Sequence, residues 1–152
     1  MGMNELHASH IKQVRVGFSI SGQSLIPERV TEAIGIQPDH SAHRGDAKRN
    51  YHGQIIGTHS ESYWVLSTEN KVESKDINDH LRYLLSRLLP YRETLLEIAE
   101  GGETYFDVLW KSTYLYAGTG PVIEPDCLRG VAQLEAGMGF DIYQIEEAEA
   151  DA

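Results

Sequence analysis

A chain of 152 residues with 41% hydrophobic and 24% charged residues is long enough to bury a real core and is globular rather than disordered in composition. Its net charge of -10 excludes broad nucleic-acid binding, which needs clustered Lys and Arg to neutralise phosphates. The same charge suits solubility or a basic protein partner.

Cys127 is the single cysteine, so no intrachain disulfide can form and a reducing compartment is expected. No apolar run reaches the length of a membrane span. The opening MGMNELHASHIKQ lacks the apolar segment of a signal peptide, which makes a cytoplasmic location the expectation.

Residues 1–11 are polar and irregular and are expected to fray. QVRVGFSIS then alternates, with Val14, Val16, Phe18 and Ile20 facing one way and Arg15, Gly17, Ser19 and Ser21 the other, the period of a half-buried strand. IPERVTEAIGI predicts a short helix, with Pro27 in its first turn, Val30, Ala33 and Ile34 as its apolar stripe and Gly35 as its stop. Positions 37–61 read as a long connection with at most short strand pieces around Gln54–Ile56. Connections of that length are uncommon in compact domains and are usually functional or mobile.

SYWVLST predicts a second strand, with Tyr63 and Val65 opposite Trp64 and Leu66. Ile77, Leu81, Leu84, Leu85, Leu88 and Leu89 then repeat at helical spacing, with Ser74 as N-cap, Pro90 as a kink and Gly101-Gly102 as the end. Asp76 and Asp79 suit the positive end of that helix, and a structural contact from His80 to Asp76 is expected at i,i+4. ETYFDVLWKSTYLY predicts either one long strand or a hairpin bent near Lys111, with Phe106, Val108 and Trp110 sharing a face. EPDCLRGVAQLEA is a third helix, started by Pro125 and ended by Gly137 or Gly139, and GFDIYQI is the last strand.

One apolar stripe per helix and alternation within the strands predict an α+β domain over residues 12–147. Its mainly antiparallel or mixed sheet of four to five strands carries three helices packed mostly on one face, ferredoxin-like as the nearest pattern. Residues 148–152 form an acidic tail.

Several segments, in this order, resemble a bacterial family of unknown function, the DUF4279 domain: FSISGQSLIPERVTEAIGIQP, HRGD around Gly45, WVLST, INDHLRYLLSRLLP and LRGVAQLEAGMGFDIY. Together they span roughly residues 14–145, and order and spacing carry the likeness more than any single motif. The resemblance implies a small intracellular bacterial α+β domain. It lends no catalytic residue and no cofactor.

One segment differs from the acidic remainder: HSAHRGDAKRNYHG, residues 40–53. His40, His43, His52 and His59, with Asp39 and Asp46, carry zinc-ligating atoms, but without the close ligand pairs of a zinc site, so solvated loop histidines are the expectation and no metal is assigned. Arg44, Lys48 and Arg49 around Gly45 suit an anion, the arginines through their planar forks and the glycine through close backbone approach; pairing with the protein's own acids explains them equally well. His43, Arg44, Gly45, Lys48, Arg49 and His52 are therefore the candidate binding residues.

Nucleophilic catalysis is poorly provided for. Ser19 lacks the second glycine of a nucleophile elbow, and Cys127 has no histidine motif around it and reads as a core thiol. Trp64, Trp110, Tyr105, Tyr114, Tyr116 and Tyr143 suit a stacking platform in type, yet lack the basic flanks that RNA-binding sheets add; tyrosines on the solvent side fit a protein interface.

The composition and motifs together predict a non-enzymatic binding or protein-interaction module working through the 40–59 loop and an open sheet surface. The expected partner is a protein or a small anionic ligand, with no nucleic acid and no membrane. An immunity-type protein meeting a basic toxin, and a homodimer through an exposed strand edge, are compatible with this reading. The alternative is an enzyme or sensor holding a small anion with Arg44, Arg49 and nearby histidines.

Overall fold

The computed structural model describes residues 10–113 and 120–145. Residues 1–9 of the expected frayed start, Tyr114, Tyr116 and the acidic tail at 148–152 lie outside the described residues.

The alternating segment forms β1, Ile11–Gly22, and it is the middle strand of a five-stranded sheet in the order β2-β5-β1-β6-β7. The other strands are β2 (His40–Ala42), β5 (Ser62–Ser67), β6 (Glu103–Thr113) and β7 (Gly137–Ile145). All neighbours pair antiparallel except β6 and β7, which run parallel. The connection between those two contains the helix Pro125–Gln133, as a parallel pair requires. In a ferredoxin-like sheet the strands of such a unit are split by a third strand; here β6 and β7 are direct neighbours.

The helices are α1 (Pro27–Ile34), α2 (Ile77–Leu88), α3 (Arg92–Ile98) and α4 (Pro125–Gln133). Pro90 lies in a single 3-10 turn, Leu89–Tyr91, which interrupts the long helical segment and separates α2 from α3. Gly35 closes α1 in the left-handed region at φ 70°, and its N–H donates to the Thr31 carbonyl at 2.8 Å. The apolar stripes of the helices meet one face of the sheet. Val16, Phe18, Ile20, Trp64, Leu66, Phe106 and Val108 come to that core from the strands, and Val30, Leu81, Leu84, Leu88 and Leu95 from the helices. Full burial of each such side chain is worth roughly 1.5–3 kcal/mol, which is why the alternation dictates which face is covered.

Residues 103–113 form one strand that passes straight through Lys111. Four other local expectations are corrected. Asp76, not Ser74, is the N-cap of α2; its carboxylate accepts the Asn78 N–H at 2.9 Å. Ser74 sits two residues earlier, accepting the Asp76 N–H and donating to Asp79. His80 makes no hydrogen bond to Asp76, because it points into the core and finds its partners there. The last helix stops at Gln133, and Glu135 takes a left-handed φ of 53° before the glycines are reached. Finally, the 37–61 connection holds more strand than expected: β2 joins the main sheet, while β3 (Ala47–Arg49) and β4 (Ile55–Thr58) make a separate two-stranded sheet.

Candidate binding face

Strand register places the side chains of the uncovered sheet face in rows, since residues opposite one another across a strand pair point the same way. One row runs His40, Val65, Ser19, Tyr105 and Gly137 from β2 to β7. The next runs Ser67, Gly17, Asp107 and Gly139. A third carries Arg15 opposite Leu109, and Leu109 opposite Asp141.

Gly17 leaves a gap in the middle of the second row. A Cβ there would meet only Val65 Cγ1, at 3.9 Å, so the glycine opens space rather than relieving crowding. At the β7 side the glycines do the opposite. The Tyr105 ring lies across β7, where a Cβ on Gly137 would stand 3.2 Å from Tyr105 Cδ2 and one on Gly139 would overlap the Tyr105 hydroxyl. Two residues without side chains therefore decide where the tyrosine rests.

The outcome is a depression of about 440 Å³ bordered by Arg15, Ser19, His40, Ser67, Tyr105 and Asp107, with Gly17 in its floor and Val65 and Glu69 completing it. That volume falls within the usual range of small-molecule sites, ~300–1,000 Å³. Its electrostatics are mixed. Arg15 reaches Glu69 only at 3.5 Å, with both side chains substantially exposed, so the pair holds Arg15 weakly. Asp39 anchors the β2 edge: its carboxylate accepts Ser67 N–H and Lys71 Nζ, each at 2.7 Å. Partial burial works against that carboxylate, but the Lys71 ammonium and the Ser67 N–H outweigh it and keep its pKa below the ordinary value. Asp107 is shifted the other way, pushed up by partial burial and by the neighbouring Asp141 against the pull of Arg15.

The sign of that shift has a measurable consequence. A folded pKa above the unfolded value of 3.8 means that ionised Asp107 weakens the fold at neutral pH and ceases to do so below that value. Asp107→Asn is expected to raise Tm at pH 7 slightly, by about 1–2 °C because the side chain is largely in water, and to give no gain at pH 3. Thermal melts of both proteins at the two pH values check this.

The residues singled out in the 40–59 segment are ordered differently. His43 is tied to α1, its Nε2 lying 2.6 Å from Glu28 Oε1, and that carboxylate raises the histidine's pKa. Its backbone N–H donates to Asp46 at 2.8 Å. Arg44 donates its backbone N–H to Ser62 Oγ at 2.8 Å, while Gly45 adopts φ 91°, a conformation that favours glycine, and bonds the His59 carbonyl. Arg49 Nη1 caps the hairpin turn through the Gly53 carbonyl at 2.8 Å, and the His52 ring rests on Tyr51 at 3.8 Å. Lys48 is exposed on β3.

None of these six residues lines the depression. Only His40, at the start of the segment, does. Among the described residues no group of three His, Cys, Asp or Glu side chains is placed to hold a metal ion. Cys127 is fully buried, and burial pushes its thiol up to about 11, which removes it as a nucleophile.

A family model described as a domain of unknown function, DUF4279, matches residues 12–145. The chain belongs to the DUF4279 family. No curated protein and no solved structure matches it. This DUF4279 domain therefore takes no activity by likeness, and its chemistry has to be read from its own surface. Among its described residues no helix is long and apolar enough to cross a membrane.

The depression escaped the sequence reading in part. Alternation alone puts Arg15, Gly17 and Ser19 on the side away from the apolar stripe, and Tyr105 is one of the aromatics that suit a sheet-face platform in type. What joins them to His40 and Asp107 is strand order, which brings together positions up to 92 residues apart when Arg15 and Asp107 become neighbours across β1 and β6.

Proposed function

We propose that this chain is a non-enzymatic binding module whose working surface is the open sheet face, bordered by the 40–59 segment. The observation that carries this reading is the depression itself: a concave site of small-molecule size, floored by Gly17 and ringed by mixed polar groups, on a face that no helix among the described residues covers. His40 links it to the 40–59 segment. Arg44 and Arg49 are exposed on the 40–59 segment and available to a protein partner, and the net charge of -10 favours a basic one.

Filling the depression tests the proposal. Gly17 has no left-handed φ and open space above it, so Gly17→Phe is expected to fold with Tm unchanged within a few degrees, phenylalanine being a good strand residue. A fragment screen read by NMR should cluster its shifts at Gly17, Ser19 and Asp107 in the native protein and lose them in Gly17→Phe. Hits that avoid these residues, or survive the substitution, overturn the assignment. Arg44→Ala with Arg49→Ala should likewise leave folding intact while reducing capture of a protein partner.

A second reading, a small-molecule sensor, is favoured by the same depression. In that case fragment binding would alter the arm that begins at His40, and the shifts would extend to residues 43–59.

A further inference from the structure

We infer that the ligand of the open-face depression is a small zwitterion, carrying a primary ammonium group beside a carboxylate and of amino-acid to dipeptide size. This rests on the binding-module reading and names its substrate class.

Opposite charges border the depression without meeting. Asp107 stands opposite Gly17, and Arg15 lies two residues along the same strand from Gly17, so the two are diagonal neighbours on adjacent strands. Such diagonals are separated by about 7–8 Å. No ion pair joins Arg15 to Asp107, and among the described residues Arg15 has only the 3.5 Å contact with Glu69. No hydrogen bond to the Asp107 carboxylate is found among the described residues either, although serine hydroxyls and a histidine share the site. Charges of opposite sign that face one cavity and leave each other unpaired are complementary to a molecule bearing both.

The balance of charge narrows the class. Glu69 and Asp107 border the depression, against Arg15 as the one arginine or lysine in its lining. A phosphate or a dicarboxylate would meet more repulsion than attraction there, whereas an ammonium group is drawn to Asp107 and a single carboxylate is satisfied by the Arg15 fork. The net charge of -10 also concentrates cationic ligands near the surface. Tyr105 supplies an apolar wall for the ligand's carbon skeleton, with an aromatic face that a second cationic group can approach. This class differs from the small anion that the 40–59 cations suggest, because those cations do not line the cavity.

The test uses three probes at low salt, followed by NMR titration: L-lysine, cadaverine (ammonium groups only) and succinate (carboxylates only). L-lysine is expected to shift the Gly17, Ser19 and Asp107 amides saturably, with the other two binding at least about tenfold more weakly. Asp107→Asn, which the fold tolerates on the reasoning above, should weaken L-lysine about tenfold or more. Arg15→Gln should remove the preference for L-lysine over cadaverine. If cadaverine or succinate binds the depression as well as L-lysine, the zwitterion assignment is overturned and the binding module stands. If neither these probes nor the fragment screen perturbs the depression, both fall.

Discussion

His80→Ala is expected to lower the stability of the fold by roughly 3 kcal/mol, a large share of the ~5–15 kcal/mol typical of a domain. His80 is fully buried and stitches three parts of the molecule together. Its Nε2–H donates to the Ser74 carbonyl at 2.6 Å, and its Nδ1 accepts from the Thr68 hydroxyl at 2.7 Å. Thr68 Oγ1 in turn accepts the Val16 N–H at 3.0 Å, so the chain of bonds runs from β1 through the end of β5 to α2 and its entry loop. Truncation strands a buried hydroxyl and a carbonyl and leaves a cavity, two costs that add. Urea unfolding at neutral pH measures the loss, and a change below about 1 kcal/mol would mean that water replaces the ring without penalty.

The same histidine predicts a pH dependence. Burial holds its pKa below the ordinary 6.5, more than the Ser74 carbonyl and the nearby Asp79 and Asp76 raise it. Above 6.5 both folded and unfolded chains are neutral at this site and its contribution is complete. As pH falls through 6.5 towards the lower folded value, the unfolded chain takes up the proton first and stability is lost. The stability gap between the native protein and His80→Ala should therefore narrow between about pH 7.5 and pH 5.5. A gap independent of pH would show that the folded and unfolded chains bind this proton equally, so that burial does not lower the histidine's pKa.

Trp64→Ala should be at least as damaging, at about 3–5 kcal/mol. The indole is completely buried, packs edge-on against Phe18 with centroids 6.4 Å apart, and donates Nε1–H to Thr31 Oγ1 at 3.0 Å. It is thus both the largest fully buried side chain and the bond between β5 and α1. Val65 and Ser67, on the reverse side of the same strand, border the depression. Denaturant unfolding should show the stability loss, and amide exchange should show Ser67 and its β1 partner Gly17 less protected. Trp64→Phe, which keeps most of the apolar volume and orphans only the Thr31 hydroxyl, should cost markedly less. Equal losses for the two would place the energy in the hydrogen bond instead.

In the 40–59 segment, histidines, arginines and glycine close together in the chain read as one candidate site, and the folded segment gives several of them local structural roles as well. Arg49 is used to close the turn at Gly53, Gly45 to make the bend, and His43 to hold the arm to Glu28. Composition marked the segment as unusual without marking what each residue was for.

What the sequence determined by itself was every choice made by local chemistry and period. The two-residue alternation from Val14 to Ile20 assigned the inner face of β1, the leucine spacing assigned the stripe of α2, and Pro27, Gly35 and Pro90 punctuated the helices where they stand. Those outcomes depend on neighbours within a turn or a strand, and burial of apolar surface rewards only one way of facing. Tertiary structure alone decided which strands lie side by side, and hence that Arg15, His40 and Asp107 share a cavity. It also decided that β6 and β7 run parallel, and that Asp76 rather than Ser74 caps α2. Each of these choices pairs residues distant in the chain or selects among equally able local groups, and only the geometry of the packed sheet distinguishes them.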